Sequence, residues 1–266
     1  MKILTIPAFI LVTATACPAV IVIIPAAKDA TLFESATGGL ANGGGDFFFT
    51  GRTLQASGVS LRRGLIEFNF ASFIPAGAII NSATLTLHAS TTRATGTVVS
   101  VHRVTREWSE GTTDASGNEG AGTPVLGDDA AWLHAVFNTV PWSGPGAAGD
   151  FNSVATGSTT ILGSNGFYTW PGLESDVQAW LANDGDNHGW LLLGDESTAA
   201  TAVQFDSRSH PTDDNRPTLT VDFSIVPEPG TTALAAAALL LVSRRRQAPN
   251  HAQTASRQPP QVCLEA

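Results

Sequence analysis

The sequence predicts an all-β protein: a single antiparallel β-sandwich of jelly-roll type with one short helix. Apolar and polar residues alternate with a period of two in segments such as "SATLTLHAS" (82–90), which is typical of a half-buried strand. Clusters of Gly, Ser, Asn and Asp separate many short segments of this kind. Strands do not alternate with long helical segments, so a parallel α/β sheet is not indicated.

The alternation assigns inward and outward positions along three strands. The strands are 65–70 ("LIEFNF"), 82–90 and 218–223 ("TLTVDF"). Inward positions are expected at Ile66, Phe68, Phe70, Ala83, Leu85, Leu87, Ala89, Leu219, Val221 and Phe223. Further strands are predicted in "AVIVIIP", "DATLFE", "GTVVSVHRV", "GFYTW", "GWLLLGD" and "AVQFDSR".

One segment has helical spacing. In "LESDVQAWLAND" (173–184), Val177, Trp180 and Leu181 lie at positions i, i+3 and i+4. The following "NDGDNHG" supplies a stop signal, so we expect one short helix here.

Composition and charge limit the classes of function. The chain has 266 residues, 26 glycines and two cysteines. The cysteines, Cys17 and Cys263, lie in the terminal segments, so neither a disulfide nor a cysteine metal site holds the central part together. Between residues 18 and 225, 9 Lys and Arg stand against 21 Asp and Glu, a formal charge of −12. Such a surface repels nucleic acid, so we expect no nucleic-acid partner.

The N-terminal residues 1–19 have the pattern of a secretory signal peptide. One lysine precedes an apolar stretch that is broken by small residues. Ala14 with Ala16, or Cys17 with Ala19, are alternative cleavage positions. The protein is therefore expected to be exported.

The segment 226–247 combines a Pro-Glu-Pro break, a short apolar run and an arginine cluster. The run is close in length to a membrane-spanning helix, and the arginines would orient it with the cytoplasm on their side. An alanine-rich core helix with a basic cap is the alternative. The residues that define the pattern are Pro227, Glu228, Pro229, Arg244, Arg245 and Arg246.

This segment resembles a PEP-CTERM sorting signal. The resemblance implies processing by an exosortase-type membrane protease and transient membrane anchoring through the C-terminal helix. It also implies a final location at the cell surface or in the extracellular matrix. Residues 248–266, which contain Pro, Gln and Ser, are predicted to be a disordered tail.

The central residues 20–225 are similar to the DNRLRE-type extracellular β-sandwich domain, some members of which are carbohydrate-binding modules. The stretches that carry the resemblance are 62–90, 104–120 ("VTREWSEGTTDASGNEG"), 172–196 and 215–223 ("NRPTLTVDF"). The resemblance implies an adhesive or polysaccharide-binding module. "FDSR", which ends at Arg208, is the nearest relative of the hexapeptide that names the family.

Three residues are candidates for ligand binding. Trp108 and Trp142 lie in a long connection rich in Gly, Pro and acidic residues, where functional loops are often displayed. A tryptophan ring can stack on the apolar face of a sugar, although a loop tryptophan can also pack over a sheet. Arg208 is a candidate for a charged contact to a polysaccharide.

Two acidic clusters are candidates for a structural calcium site. Calcium prefers oxygen ligands, and both clusters lie in predicted loops. The ligand candidates are Glu107, Glu110, Asp114, Asp184, Asp186 and Asn187. An ordinary acidic turn after the helix is the alternative for the second cluster.

No motif of a hydrolase, a metalloprotease or a nucleotide-binding loop occurs in the sequence. We therefore expect a non-catalytic protein that binds polysaccharide or serves in matrix assembly. Two alternatives remain: a secreted polysaccharide-acting enzyme (a lyase or glycosidase) that uses paired carboxylates, and a purely structural matrix protein.

Overall fold

The computed structural model describes residues 19–225 of the chain. The segments with alternating apolar and polar residues form strands that pair into sheets. The strands are β1 (Ala19–Phe33), β2 (Leu40–Ala41), β3 (Phe47–Arg52), β4 (Leu61–Phe68), β5 (Ile79–Thr92), β6 (Thr97–Arg103), β7 (Thr123–Pro124), β8 (His134–Val136), β9 (Val140–Pro141), β10 (Gly157–Ile161), β11 (Gly166–Trp170), β12 (Trp190–Leu193), β13 (Val203–Asp206) and β14 (Thr218–Ser224). The helix α1 spans Glu174–Ala182, and 3-10 turns lie at Pro145–Ala147, Asp184–Asp186 and Asp213–Asn215.

Antiparallel pairing arranges most of these strands in a sandwich of two sheets. The front sheet contains the first half of β1, then β14, β5, β13 and β3, with β11 on the other side of β5. The back sheet contains the second half of β1, then β4, β12, β6 and β10. The prediction of an all-β protein built from antiparallel strands is confirmed.

Strand β1 belongs to both sheets. Ala19–Pro25 pairs with β14, and the register then shifts between Ala26 and Lys28 before the strand pairs with β4. A proline has no backbone N–H to donate, and a bulge bends a strand, so this is the expected place for β1 to cross between layers. β3 makes a similar link, because its end pairs with the start of β4.

The main core lies between the two sheets. All ten positions predicted to point inward are buried. The rings of Trp180 and Trp190 meet edge to face with centroids 4.7 Å apart, and such aromatic pairs add to the stability from area burial alone. The alternation in the sequence therefore predicts the inner faces correctly.

Helix α1 confirms the helical spacing. Val177 and Trp180 are buried, and Leu181 packs against the core. The helix is tied to its surroundings by two polar side chains: Gln178 accepts the N–H of Ile80 at 2.9 Å, and Asp176 accepts the indole N–H of Trp190 at 2.8 Å. These bonds fix the helix against β5 and β12.

A second apolar cluster covers the outer face of the back sheet. Leu65 on β4 and Leu191 on β12 point outward, and the long connection 104–156 between β6 and β10 packs over them. Three tryptophans from this connection fill the cluster, namely Trp108, Trp132 and Trp142. The connection therefore forms a third layer.

Residues 1–18 of the predicted signal peptide, the sorting signal and the tail lie outside the described residues, whereas Ala19 is the first residue of β1. In the described part of the chain, no helix has the length and apolar character needed to cross a membrane.

Replacing Trp108 by alanine should lower the free energy of unfolding by about 3–5 kcal/mol, because it leaves a large cavity in the third layer. Its indole N–H, which donates to the His188 carbonyl at 2.9 Å, is lost as well. Urea denaturation of the variant and the wild type measures the loss. Leu126→Ala, at an exposed position of the same connection, is the control and should change stability by less than about 0.5 kcal/mol. Equal stability of the two variants would contradict a packed third layer.

Candidate functional site

An open cleft of about 580 Å³ lies over the outer face of the front sheet, where Phe49 on β3, Gln204 on β13 and Thr91 on β5 are paired neighbours. Its volume is within the range of small-molecule and sugar sites. The β3–β4 turn, the β5–β6 turn, the connection near residue 120 and the segment before β13 complete its walls. The lining residues are Phe49, Thr53, Leu54, Gln55, Thr91, Thr92, Arg93, Asn118, Gly120, Ala121, Ala200, Ala202 and Gln204.

The chemistry of the cleft is uncharged apart from Arg93. Hydroxyl and amide groups dominate the polar lining, and no carboxylate is among the described residues that form it. Within the described part of the chain, the side chains of Thr91, Asn118 and Gln204 make no hydrogen bond to protein, so their polar groups are available. The exposed Leu54 supplies apolar surface, whereas Phe49 borders the cleft but is buried.

Arg62 holds the walls of the cleft together from inside. Its guanidinium donates to the carbonyl of Gly120 at 3.0 Å, to the carbonyl of Leu61 at 2.7 Å and to the side-chain oxygen of Gln55 at 2.7 Å. It also lies over the ring of Phe33, 5.0 Å from the centroid. Burial lowers the pKa of Arg62 to about 10, and the Glu34 carboxylate opposes this shift. Arg62 thus positions the cleft and remains charged at neutral pH.

A buried charge cluster lies where β1, the long connection and the segment after β13 meet. Arg208 makes a bidentate ion pair with the Glu110 carboxylate, through its Nε and Nη2 atoms. Asp29 is 1% exposed; its backbone N–H donates to Glu110 at 2.8 Å, and its carboxyl group accepts the backbone N–H of Arg208 at 2.6 Å. Three distant parts of the chain are therefore joined at one point.

Burial raises the pKa of Asp29 to about 8, and the neighbouring Glu110 carboxylate adds to the rise. The backbone hydrogen bond and the charge of Arg208 act in the opposite direction. Desolvation is the largest cause, since a carboxylate loses its hydration in this position. Asp29 is therefore mostly protonated at neutral pH.

Two more buried acids fasten the long connection: Glu119 binds it to the loop before β3, and Asp129 joins two parts of the connection itself. Glu119 accepts hydrogen bonds from the side chain of Asn42 at 2.6 Å and from the backbone N–H of Phe47 at 2.9 Å. Asp129 accepts the backbone N–H of Thr113 at 3.0 Å. A Cβ atom at Gly45 would stand 2.3 Å from the Glu119 carboxylate, so this position needs glycine. The glycine run 43–45 was the sequence signal for this close approach.

The three residues predicted to bind a ligand are not displayed on an open surface: two are buried and one is ion-paired. Trp108 and Trp142 are 1% and 5% exposed, so they belong to the third layer and display no ring face. The indole N–H of Trp142 donates to the Ala131 carbonyl at 2.9 Å. Arg208 is held by Glu110. The cleft residues Thr91, Asn118 and Gln204 were missed, because they come from three separated segments without a motif.

The six calcium-ligand candidates do not come together. Glu107 is exposed, Glu110 is paired with Arg208, and Asp114 accepts the backbone N–H of Ser116 at 2.7 Å. Asp184 and Asp186 are exposed in a 3-10 turn, and the Asn187 amide donates to the Phe68 carbonyl at 2.8 Å. Across residues 19–225, no group of three or more Asp, Glu, His or Cys side chains is arranged to hold a metal ion.

The sorting-signal residues Pro227, Glu228, Pro229, Arg244, Arg245 and Arg246 lie outside the described residues. Among known proteins, no family model matches this chain and no curated protein has detectable sequence similarity to it.

The pKa of Asp29 makes stability depend on pH. The folded state keeps the proton up to about pH 8, whereas the unfolded chain releases it near its ordinary pKa of 3.8. The unfolding free energy that this group contributes is therefore present at low pH and is lost as the pH rises from about 4 through about 8. Asp29→Asn keeps an acceptor for Arg208 but cannot ionise.

We expect Asp29→Asn to gain stability over the wild type as the pH rises, with the difference largest near pH 9. Urea denaturation across this pH range measures it. Asp214→Asn, at an exposed carboxylate, is the matched control and should leave the pH dependence unchanged. Parallel stability curves for wild type and Asp29→Asn would show that Asp29 is already ionised in the folded protein.

Proposed function

We propose that this protein is an exported, non-catalytic β-sandwich, displayed at the cell surface or in the extracellular matrix, that binds a neutral polysaccharide. The observation that carries the proposal is the cleft beside the front sheet, with free hydroxyl and amide groups in a domain of strongly negative charge. A jelly-roll relationship to the DNRLRE-type domain is part of the same proposal.

The composition of the cleft favours sugar over other ligands. Hydroxyl groups of a saccharide both donate and accept hydrogen bonds, as do the side chains of Thr91, Asn118 and Gln204. The exposed side chain of Leu54 offers apolar surface for the C–H face of a sugar ring. A small amphiphilic ligand rich in hydroxyls therefore fits the cleft better than a purely apolar one.

Charge favours a neutral polymer. The 9 basic and 21 acidic residues between 18 and 225 repel a polyanion. Arg93 is the one cationic group among the lining residues, and it stands alone. A single exposed cation contributes little against that repulsion in physiological salt.

The positions of the buried acids support a binding role more than catalysis. A glycosidase needs two carboxyl groups on either side of the scissile bond. Two features favour an enzyme: Asp29 and Glu110 come from distant segments and lie close together, and Glu110 lines a cleft with Glu107 and Asp128. Asp29 lines none of the clefts, however, and both oxygens of Glu110 are engaged by Arg208. This arrangement fastens the long connection.

Export and anchoring complete the proposal. The signal-peptide pattern of residues 1–19 would direct secretion, and the PEP-CTERM-like segment 226–247 would hold the chain in the membrane until an exosortase-type protease cuts it. A structural matrix protein without affinity for glycans is the second candidate. A structural role of calcium is addressed only by the binding assay, which is run with calcium and with a chelator.

The test is binding of the purified chain to a panel of neutral and acidic polysaccharides, with calcium and with a chelator. We expect binding to a neutral polymer that survives the chelator. Thr91→Ala combined with Gln204→Ala should weaken it by roughly ten- to a hundredfold, since each lost hydrogen bond costs about 0.5–1.5 kcal/mol.

The matched control combines Asn152→Ala with Thr160→Ala, two exposed polar positions outside the cleft. It should bind as tightly as the wild type. Absence of binding to every polysaccharide would favour the purely structural role, and equal loss in the cleft and control variants would remove the cleft as the site.

A further inference from the structure

The first half of β1 forms an open edge of the front sheet. Ala19–Pro25 pairs with β14 on one side, and within residues 19–225 its other side pairs with no strand. An edge strand presents a row of backbone N–H and C=O groups that another strand can bind. The other end of β1 is closed, because it pairs with β4.

This edge lacks the features that usually protect one. Proteins commonly block edge strands with a charged side chain, especially lysine, or with an internal proline or bulge. The segment 19–24 reads "AVIVII" and contains no charged or polar residue; Pro25 and the bulge come only at its end. Thirty charged residues lie between 18 and 225, yet none falls in this strand.

The side chains of the strand are also uncovered. Ile21 and Ile23 point to the outer face and are 68% and 64% exposed. Val20 and Val22 point to the core but remain only half-buried, which is expected where the sheet stops beside them. A neighbouring strand would cover both sets of side chains and satisfy the free backbone groups at once.

We propose that this edge pairs with the same edge of a second copy of the chain, which joins the two front sheets into one continuous antiparallel sheet. The strand is self-complementary: a two-fold axis at Val22 places Ile21 opposite Ile23 of the partner subunit, and Val20 opposite Ile24 of the partner subunit. The pairs among residues 20–24 are then all apolar and β-branched, a favourable combination in sheets. An isologous contact of this kind forms a closed dimer.

The nature of the edge decides among possible partners. Lipid and sugar cannot form a regular ladder with backbone groups, whereas a strand does so at every second residue. On the adjoining strand, Asp222 is paired with Ile21 and is the one charge in β14. A strand rich in charge would be a poor match, and the copy of β1 is the apolar strand that the chain itself supplies.

The dimer extends the proposed matrix role, but its test does not depend on glycan binding. Each subunit would keep its own cleft, so one particle would carry two sites, and avidity for a polymer could exceed the affinity of either site. Failure of glycan binding and failure of dimerisation are separate results.

The experiment is sedimentation velocity of the purified full chain in a mild non-ionic detergent over a range of concentrations. We expect a reversible monomer–dimer equilibrium. Ile21→Lys combined with Ile23→Lys should weaken it at least about tenfold, because the two-fold brings the introduced lysines opposite each other. Both positions are exposed, so the fold should tolerate the change.

Val98→Lys is the matched control. Val98 is an exposed β-branched residue on β6, which has a strand on each side. This variant should dimerise like the wild type. Amide hydrogen exchange of residues 19–25, slow in the dimer and faster in the double-lysine variant, identifies the edge as the interface.

Three results would overturn the proposal. The wild type could stay monomeric at all concentrations, or the double-lysine variant could dimerise as the wild type does. A monomer with slow exchange at residues 19–25 would show instead that another segment of the same chain covers the edge.

Discussion

The back sheet is buried on both faces, and much of the molecule follows from this constraint. Its inner face packs on the front sheet, and its outer face carries Leu65 and Leu191, which need a cover. The cover is the connection 104–156, which has few hydrogen bonds from regular secondary structure. Because a buried backbone group without a partner costs free energy, side chains must supply the missing partners. Asp129 does so for the N–H of Thr113 within the connection, and Glu110 and Glu119 fasten the connection to the N–H groups of Asp29 and Phe47.

This use of acids explains why an acidic sequence can be a structural layer. A carboxylate accepts several hydrogen bonds, so one buried acid can bind two or three backbone N–H groups. The cost is a buried negative charge. At Glu110 the charge is compensated by Arg208, and at Asp29 a retained proton keeps the carboxyl group neutral. The connection covers the outer face of the back sheet, whereas the 580 Å³ cleft lies beside the front sheet.

The inner faces of the sandwich could be predicted from the sequence, and the third layer could not. Alternation along β4, β5 and β14 predicts burial directly, because successive side chains of a strand point to opposite faces of the sheet and one face packs on the core. Trp108 and Glu110 lie in a stretch of mixed polarity that has the composition of an exposed loop, and their burial depends on contacts with β1 and on Arg208, about a hundred residues away. The cleft was equally hidden, since Thr91, Asn118 and Gln204 meet only through long-range pairing. A local sequence pattern predicts only the local structure, whereas the cleft is formed by segments that are far apart in the sequence.

The open edge of β1 and the net charge of the domain act against each other. An unblocked apolar strand favours association, but two domains of formal charge −12 repel one another. Asp222 on β14 is paired with Ile21, and none of the charges that cause the repulsion lies in the segment 19–24 itself. Charges separated by more than about 8 Å are largely screened at physiological ionic strength, whereas apolar burial and backbone hydrogen bonds at the edge are not. The acidic surface can therefore replace the lysine that blocks other edge strands: it keeps copies apart in dilute salt and permits pairing at physiological ionic strength.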